Sequence, residues 1–353
     1  MDFSKLPDLS QFKESTEVAN TSVEYSKPLE EYTNPRILIE LIDNLHCNDS
    51  DIDNYIDFLS FEDYLCHESL SSSFLKKAYE STPYELYYNT TKTENDNKKC
   101  FELGTFIHEA ILEPEKFKNV LPLIPCNRTK IEDLKNLYLQ YQSIDFEYNF
   151  IDASNFKIGQ LREVIKEYES KTKYSFIEYR MIEAIKAIKH RVDSYSNNLI
   201  NKILQNSIAE SSIFCNYNSC KLKVRPDSLI TKESHGLNAI ISVKSTRRNN
   251  LKGFYYDFNS LHYDLSEAMY QEVVSQKTGR NFDVTLMIVV QTVEPYDVAL
   301  IYIDPETIEK GKVKFNYALE KYDYYKKNPF TGNELYSRTK DGIINFNEII
   351  NHD

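Results

Sequence analysis

Three residues have the types and spacing that phosphodiester chemistry needs: Asp227, which follows Arg225 and Pro226, and then, after fourteen intervening residues, Ser242 and Lys244. Period-two patterning predicts strands over 227–231 and 238–245, and side chains at i and i+2 of a strand share a face. Ser242 and Lys244 then project together while Val243 points into the core. If the two strands pair as a hairpin, Asp227 comes close to both. An acid, a second ligand position and a lysine converging at a sheet edge suit metal-assisted phosphodiester cleavage. Carboxylates hold a divalent cation, the cation acidifies a bound water, and the lysine orients that water or neutralises developing charge. A plainer reading fits the same residues: aspartate after proline is common in turns, and a strand lysine is often a solvated edge residue that discourages aggregation.

Charge is distributed in a way that bears on the partner. The chain has 353 residues and a net charge of -12, yet residues 221–252 hold eight bases against two acids (+6), while residues 1–60 hold thirteen acids against four bases. A basic segment inside an acidic protein points to a focused anionic partner, and DNA phosphates reward lysine and arginine. Arg225, Arg247, Arg248 and Lys252 are the candidates for that contact.

Other function classes find no support. None of the eight glycines falls in a G-x-G-x-x-G or P-loop pattern, which argues against nucleotide binding through a glycine-rich turn. No G-x-S-x-G elbow is present, so serine hydrolase chemistry is unsupported. The six cysteines form no C-x-x-C pair and read as reduced thiols rather than a disulfide framework or zinc ribbon. No window reaches the roughly 18 unbroken apolar residues of a spanning helix, and MDFSKLPDLS lacks the regions of a signal peptide. A cytoplasmic protein without a membrane partner is expected.

The elements that must position these residues can be read coarsely. Residues 1–60 are expected to form an acidic N-terminal extension, partly helical over 36–45, or flexible. A domain over 61–335 follows, helical over 61–210 and sheet-forming over 211–325, and 336–353 is a tail. Helices are expected over 71–88, interrupted by Pro83, over 102–112, 159–170 and 176–204. Strands follow at 213–217, 219–225, 227–231 and 238–245, a helix at 261–278, strands at 282–291 and 297–303, and a closing helix at 305–321. The fold class is α/β, a mixed central sheet flanked by helices behind a mostly helical N-terminal region.

Four separated stretches, in order, resemble the PD-(D/E)XK nucleases and within them the RecE-like, exonuclease VIII-type branch. They are Ser71–Leu75 with Ser81–Pro83; Leu103–Ala110 with Leu112–Phe117; Ala209-Glu210-Ser211 leading through Lys223–Asp227 to Ser242–Thr246; and Tyr263–Tyr270 with Glu294–Val298. They span about residues 70–325. The resemblance implies a restriction-endonuclease-like fold and Mg2+ or Mn2+-dependent DNA cleavage, exonucleolytic on duplex ends, in phage or prophage recombination. It also implies DNA as partner, and extends to a single-strand annealing recombinase and to homo-oligomer assembly.

Residue by residue, His108 matches a histidine that helps hold metal, Asp227 the bridging carboxylate, Val243 a backbone carbonyl ligand and Lys244 the catalytic lysine. Tyr263 and Tyr270 match positions that read the substrate backbone. Two positions depart from the pattern. Ser242 stands where the family has Asp or Glu, and Ser266 where the branch places a glutamine. Some restriction enzymes of the superfamily pair S-x-K with an acid on the neighbouring helix. Glu267 could supply that acid, with Asp257 and Asp264 as weaker candidates, and Glu210 is a further one. The alternative is a catalytically silent member that binds DNA or a recombination partner.

Overall fold

The structure is a computed structural model and describes residues 55–57, 59–81, 86, 98–123 and 126–327. The helix expected over 36–45, most of the acidic extension, Pro83 and the tail 336–353 lie outside the described residues. In chain order the elements are α1 (Phe61–Cys66), α2 (Ser72–Glu80), α3 (Lys98–Leu112), α4 (Pro114–Phe117), β1 (Val120–Leu123), α5 (Ile131–Ile144), α6 (Ile158–Lys171), β2 (Ser175–Glu178), α7 (Tyr179–Ser194), α8 (Leu199–Leu204), β3 (Ile208–Ala209), β4 (Ile213–Tyr217), β5 (Cys220–Val224), β6 (Ser228–Ile230), α9 (Lys232–His235), β7 (Ala239–Thr246), α10 (Leu251–Ser260), α11 (Tyr263–Thr278), β8 (Val284–Gln291), β9 (Val298–Ile303) and α12 (Pro305–Lys327).

The mixed α/β architecture is the expected one. A five-stranded sheet has the order β3-β6-β7-β8-β9. Its centre is the parallel pair β7 and β8, both nearly continuous apolar runs because helices cover both faces. On one face, Ile107 and Ala110 of α3 and Ile182, Ile185 and Ile188 of α7 pack on Ile241, Val243 and Ile288. On the other, Leu265, Met269 and Val273 of α11 and Phe315 of α12 pack on Leu229 and Ile240. α11 is buried almost all round, so its polar residues face protein rather than water.

Three expectations are corrected. Strands 213–217 and 220–224 pair with each other as a separate hairpin and do not join the central sheet. Pro226 between β5 and β6 has no N–H to give a ladder, and the chain turns there. The stretch 176–204 is a short strand and two helices, because Ser196, Asn197 and Asn198 take left-handed backbone angles (φ 41, 57 and 63°), which asparagine tolerates. Finally, α5 and α10 are helices that the periodicity did not indicate. With α6, α5 builds a separate aromatic core around Tyr138, Tyr141 and Tyr168, inserted between the parallel strands β1 and β2.

Candidate active site

Register places the site. Ile208 and Ala209 pair with Leu229 and Ser228, and Ser228 pairs in turn with Ile241. One step further along, Glu210, Asp227 and Ser242 fall in one row across three strands, and the Glu210 N–H donates to the Asp227 carbonyl at 3.0 Å. Glu210 holds this place with φ 52°, a left-handed conformation that costs a non-glycine residue about 1 kcal/mol or more and that recurs at functional sites.

Asp227 is the hub. Its Oδ2 accepts from the Val243 N–H at 2.5 Å and from Lys244 Nζ at 3.2 Å, and its Oδ1 lies 3.7 Å from His108 Nδ1. A strand residue's N–H and C=O point to the same edge, so the Val243 carbonyl opens on the Asp227 side. His108 arrives from α3, on the opposite side of the sheet from α11. Glu210 Oε2 accepts from Arg225 Nε at 2.9 Å, and Arg225 Nη1 donates to the Leu59 carbonyl and to Ser212 Oγ. His108, Glu210 and Asp227 each present a ligand atom within 4.8 Å of the others, the one such group among the described residues.

Ser242 supplies no charge, but it is not alone. Its Oγ donates to Glu267 Oε2 at 2.7 Å, both residues are fully buried, and Glu267 Oε1 has no hydrogen-bond partner. A carboxylate thus enters from α11 beside the strand position held by Ser242. Asp257 is paired with Arg248 and Asp264 with Lys314, so neither weaker candidate is free to do the same.

The electrostatics follow from burial and from these pairs. Burial alone would raise the Asp227 carboxyl, but Lys244, His108 and the Val243 N–H outweigh it and hold it low. Burial would lower the Lys244 ammonium, and Asp227 with Glu267 instead holds it high. Burial raises the Glu210 and Glu267 carboxyls, against the opposing pull of Arg225 and Lys244 respectively. Tyr270 is pushed up to about 12, chiefly by burial.

Two carboxylates suit a divalent cation of the magnesium or manganese kind, and the imidazole adds a softer nitrogen donor. Their ligand atoms lie within 4.8 Å of one another, against the roughly 4.2 Å that two metal–oxygen bonds of about 2.1 Å span. The orphaned Glu267 oxygen is a further acceptor with nothing to bind in the protein itself.

The residues expected to meet DNA divide. Arg247 and Lys252 are exposed just beyond the lysine strand, next to exposed Tyr255 and Tyr256 on α10. Arg248 is exposed but bound to Asp257 by two hydrogen bonds. Tyr263 is half-buried, its ring centroid 5.7 Å from Lys244 Nζ, and Tyr270 meets Ser72 Oγ at 3.5 Å. Arg225 and Ser266 are turned inward: Arg225 is bound to Glu210, and Ser266 is 4% exposed with its hydroxyl toward the His262 carbonyl. Neither presents a surface to DNA. Sequence reasoning missed Lys76 of α2, whose Nζ lies 5.0 Å from the same Tyr263 centroid. No motif flags it, and only the docking of α2 on α11 brings it here.

A mixed sheet carrying an aspartate at the head of one strand and a lysine on the next fits the PD-(D/E)XK nuclease superfamily, with Ser242 in place of the strand acid. The chain matches the family described as a PDDEXK-like domain of unknown function, DUF3799, over residues 71–333, and belongs to it. Among solved structures it is similar to a Eubacterium rectale protein described as a candidate exonuclease, at 13% identity and a TM-score of 0.39, covering 84% of this chain and 100% of that one. It is also similar to the protein SSO0001, at 15% identity and a TM-score of 0.22, covering 63% and 86%. No curated protein matches.

Proposed function

We propose that the protein is a divalent-metal-dependent deoxyribonuclease of RecE-like type, cutting duplex DNA from its ends in a phage or prophage recombination setting. The observation that carries this is the convergence of His108, Glu210 and Asp227 within 4.8 Å, with Lys244 Nζ 3.2 Å from Asp227. His108, Glu210 and Asp227 would hold the cation, with the Val243 carbonyl and the free oxygen of Glu267 beside them. A bound cation supplies Lewis acidity toward the phosphoryl group. Lys244, kept charged by Asp227, orients the attacking water and offsets the charge that develops. The water oxygen forms the new P–O bond and gives up a proton to solvent, the bridging P–O bond breaks, and the departing oxygen takes a proton back from solvent. Arg247 and Lys252 meet the flanking phosphates.

Linear and covalently closed duplex of the same sequence, incubated with Mg2+ or Mn2+, test this directly. Digestion of the linear form alone, lost in Lys244→Ala and in Glu267→Ala, is the expected result, and cleavage of the closed circle would remove the end-specific part. Ser242 favours a second reading, a silent member that binds DNA or a recombinase. It predicts no digestion together with salt-sensitive DNA binding.

A further inference from the structure

The face of α2 that meets α11 carries Ser72, Lys76 and Glu80, each one helical turn from the next. Ser72 Oγ lies 3.5 Å from the Tyr270 hydroxyl, and Glu80 Oε1 lies 3.0 Å from His262 Nε2. Both ends of this stripe are partnered. Lys76, between them, has no ion pair or hydrogen bond among the described residues, and rests only on the face of Tyr263 at 5.0 Å.

Tyr263 also carries the Lys244 ammonium at 5.7 Å, so two cations share one ring. Such a pair is repulsive unless an anion lies between or beside it. Of the acids nearby, Asp227 holds Lys244 at 3.2 Å, Asp264 holds Lys314 at 2.9 Å and Glu80 is on His262, while Glu267 accepts from Ser242 through one oxygen and keeps the other without a partner. Among the described residues Lys76 thus stands in the cleft without a direct ion pair or hydrogen bond, its charge offset only at longer range by Glu267, Asp264 and Glu80. Burial and the Lys244 charge lower its amine to about 8, against the opposing pull of Glu267, Asp264 and Glu80. A cation held in no direct ion pair beside a phosphodiester site is poised for an anion that arrives with the substrate.

We propose that Lys76 is a phosphate-binding residue of the active site: its Nζ takes a non-bridging oxygen of the substrate phosphodiester, while Lys244, already committed to Asp227, serves the water. This rests on the nuclease reading above.

The test compares Lys76→Ala, Lys76→Gln and Lys76→Arg on linear duplex with Mn2+. The Ala and Gln variants are expected to lose about 100-fold in kcat/KM, with melting temperature and Mn2+ affinity unchanged. The Arg variant, which keeps the charge, should return to within about tenfold of wild type. Wild-type activity should fall as pH rises past about 8, where the amine loses its proton, and Lys76→Arg should not show that loss. A wild-type rate in Lys76→Ala, or Ala and Arg variants equally inactive, overturns the assignment and leaves the nuclease reading intact. If the wild type itself cleaves nothing, the nuclease reading fails, and Lys76 is judged by equilibrium binding to duplex DNA. A slope of log K against log salt shallower by about 1 in Lys76→Ala supports the phosphate contact, and an unchanged slope rejects it.

Discussion

Arg225 illustrates how a residue's surroundings decide its role. Its place in the basic run suggested a phosphate contact, yet its guanidinium holds Glu210 at 2.9 Å and bonds to Leu59 and Ser212. On the proposed reading it positions a candidate metal-binding acid. Lys cannot reproduce the planar fork, so Arg225→Lys should weaken Mn2+ binding by roughly tenfold or more while leaving metal-free DNA affinity unchanged. Calorimetric titration of Mn2+ beside an electrophoretic DNA assay checks both halves, and a loss of DNA affinity with normal Mn2+ binding would return Arg225 to the DNA surface. Glu267 makes a prediction about stability. Burial raises its carboxyl in the folded state, so the folded protein binds that proton more readily than the unfolded chain. Metal-free stability then declines as pH climbs above the ordinary carboxyl range. Glu267→Gln keeps an acceptor for Ser242 and removes the charge. It should melt higher than wild type above neutral pH, by on the order of 1 kcal/mol, while losing cleavage. Melting curves across pH 5–8.5 decide this, and parallel curves for the two proteins would count against it.

At the scale of elements, two glycines give opposite expectations. A Cβ on Gly311 of α12 would lie 2.1 Å from the Asp264 carbonyl oxygen of α11, and backbone cannot yield as a side chain tip can. Gly311→Ala should cost about 1–3 kcal/mol and, by displacing the start of α11, disturb Tyr263 and Glu267. Gly104 belongs to the G-x-x-x-H pattern on α3, but a Cβ there meets only Ser245 Oγ at 3.6 Å, an ordinary contact. Gly104→Ala should be neutral or stabilise by up to about 1 kcal/mol through helix propensity. Denaturant melts of the two variants side by side measure the contrast. The central strands, the lysine strand among them, were legible in the sequence because they are long apolar runs, and α11 because it is long and closed by Gly279. The α10 helix was not, since its inward Phe254 and Phe258 are only one turn apart and its outer face is aromatic as well.

For the whole molecule, a net charge of -12 with a local excess of bases over 221–252 predicts binding that is focused and strongly salt-dependent. Reversing both exposed cations, Arg247→Glu with Lys252→Glu, should flatten the salt dependence by about two counterions without altering the melting temperature. Fluorescence anisotropy over a salt series reads this out, and an unchanged slope would place DNA elsewhere on the surface. Cation binding should stabilise the fold by roughly 2.7 kcal/mol at a hundredfold excess over Kd. That gain should vanish in His108→Ala, as followed by melting with and without Mn2+. No helix among the described residues is long and apolar enough to cross a membrane.

The sequence by itself determined which residues stand near one another along a strand. Period two puts Ser242 and Lys244 on one face, and the spacing to Asp227 lets a hairpin bring it alongside. For the missing acid it offered Glu267, with Asp257 and Asp264 as weaker candidates and Glu210 as a further one, and could not decide among them, because reach from a helix or an edge strand depends on packing. The tertiary structure gave Glu210 and Glu267 different positions. Register across three strands sets Glu210 next to Asp227, and the seating of α11 on the sheet sets Glu267 against Ser242. It likewise turned Arg225 inward and brought Lys76 to Tyr263. Those outcomes arise from contacts between segments far apart in the chain, which local periodicity and charge counts do not encode.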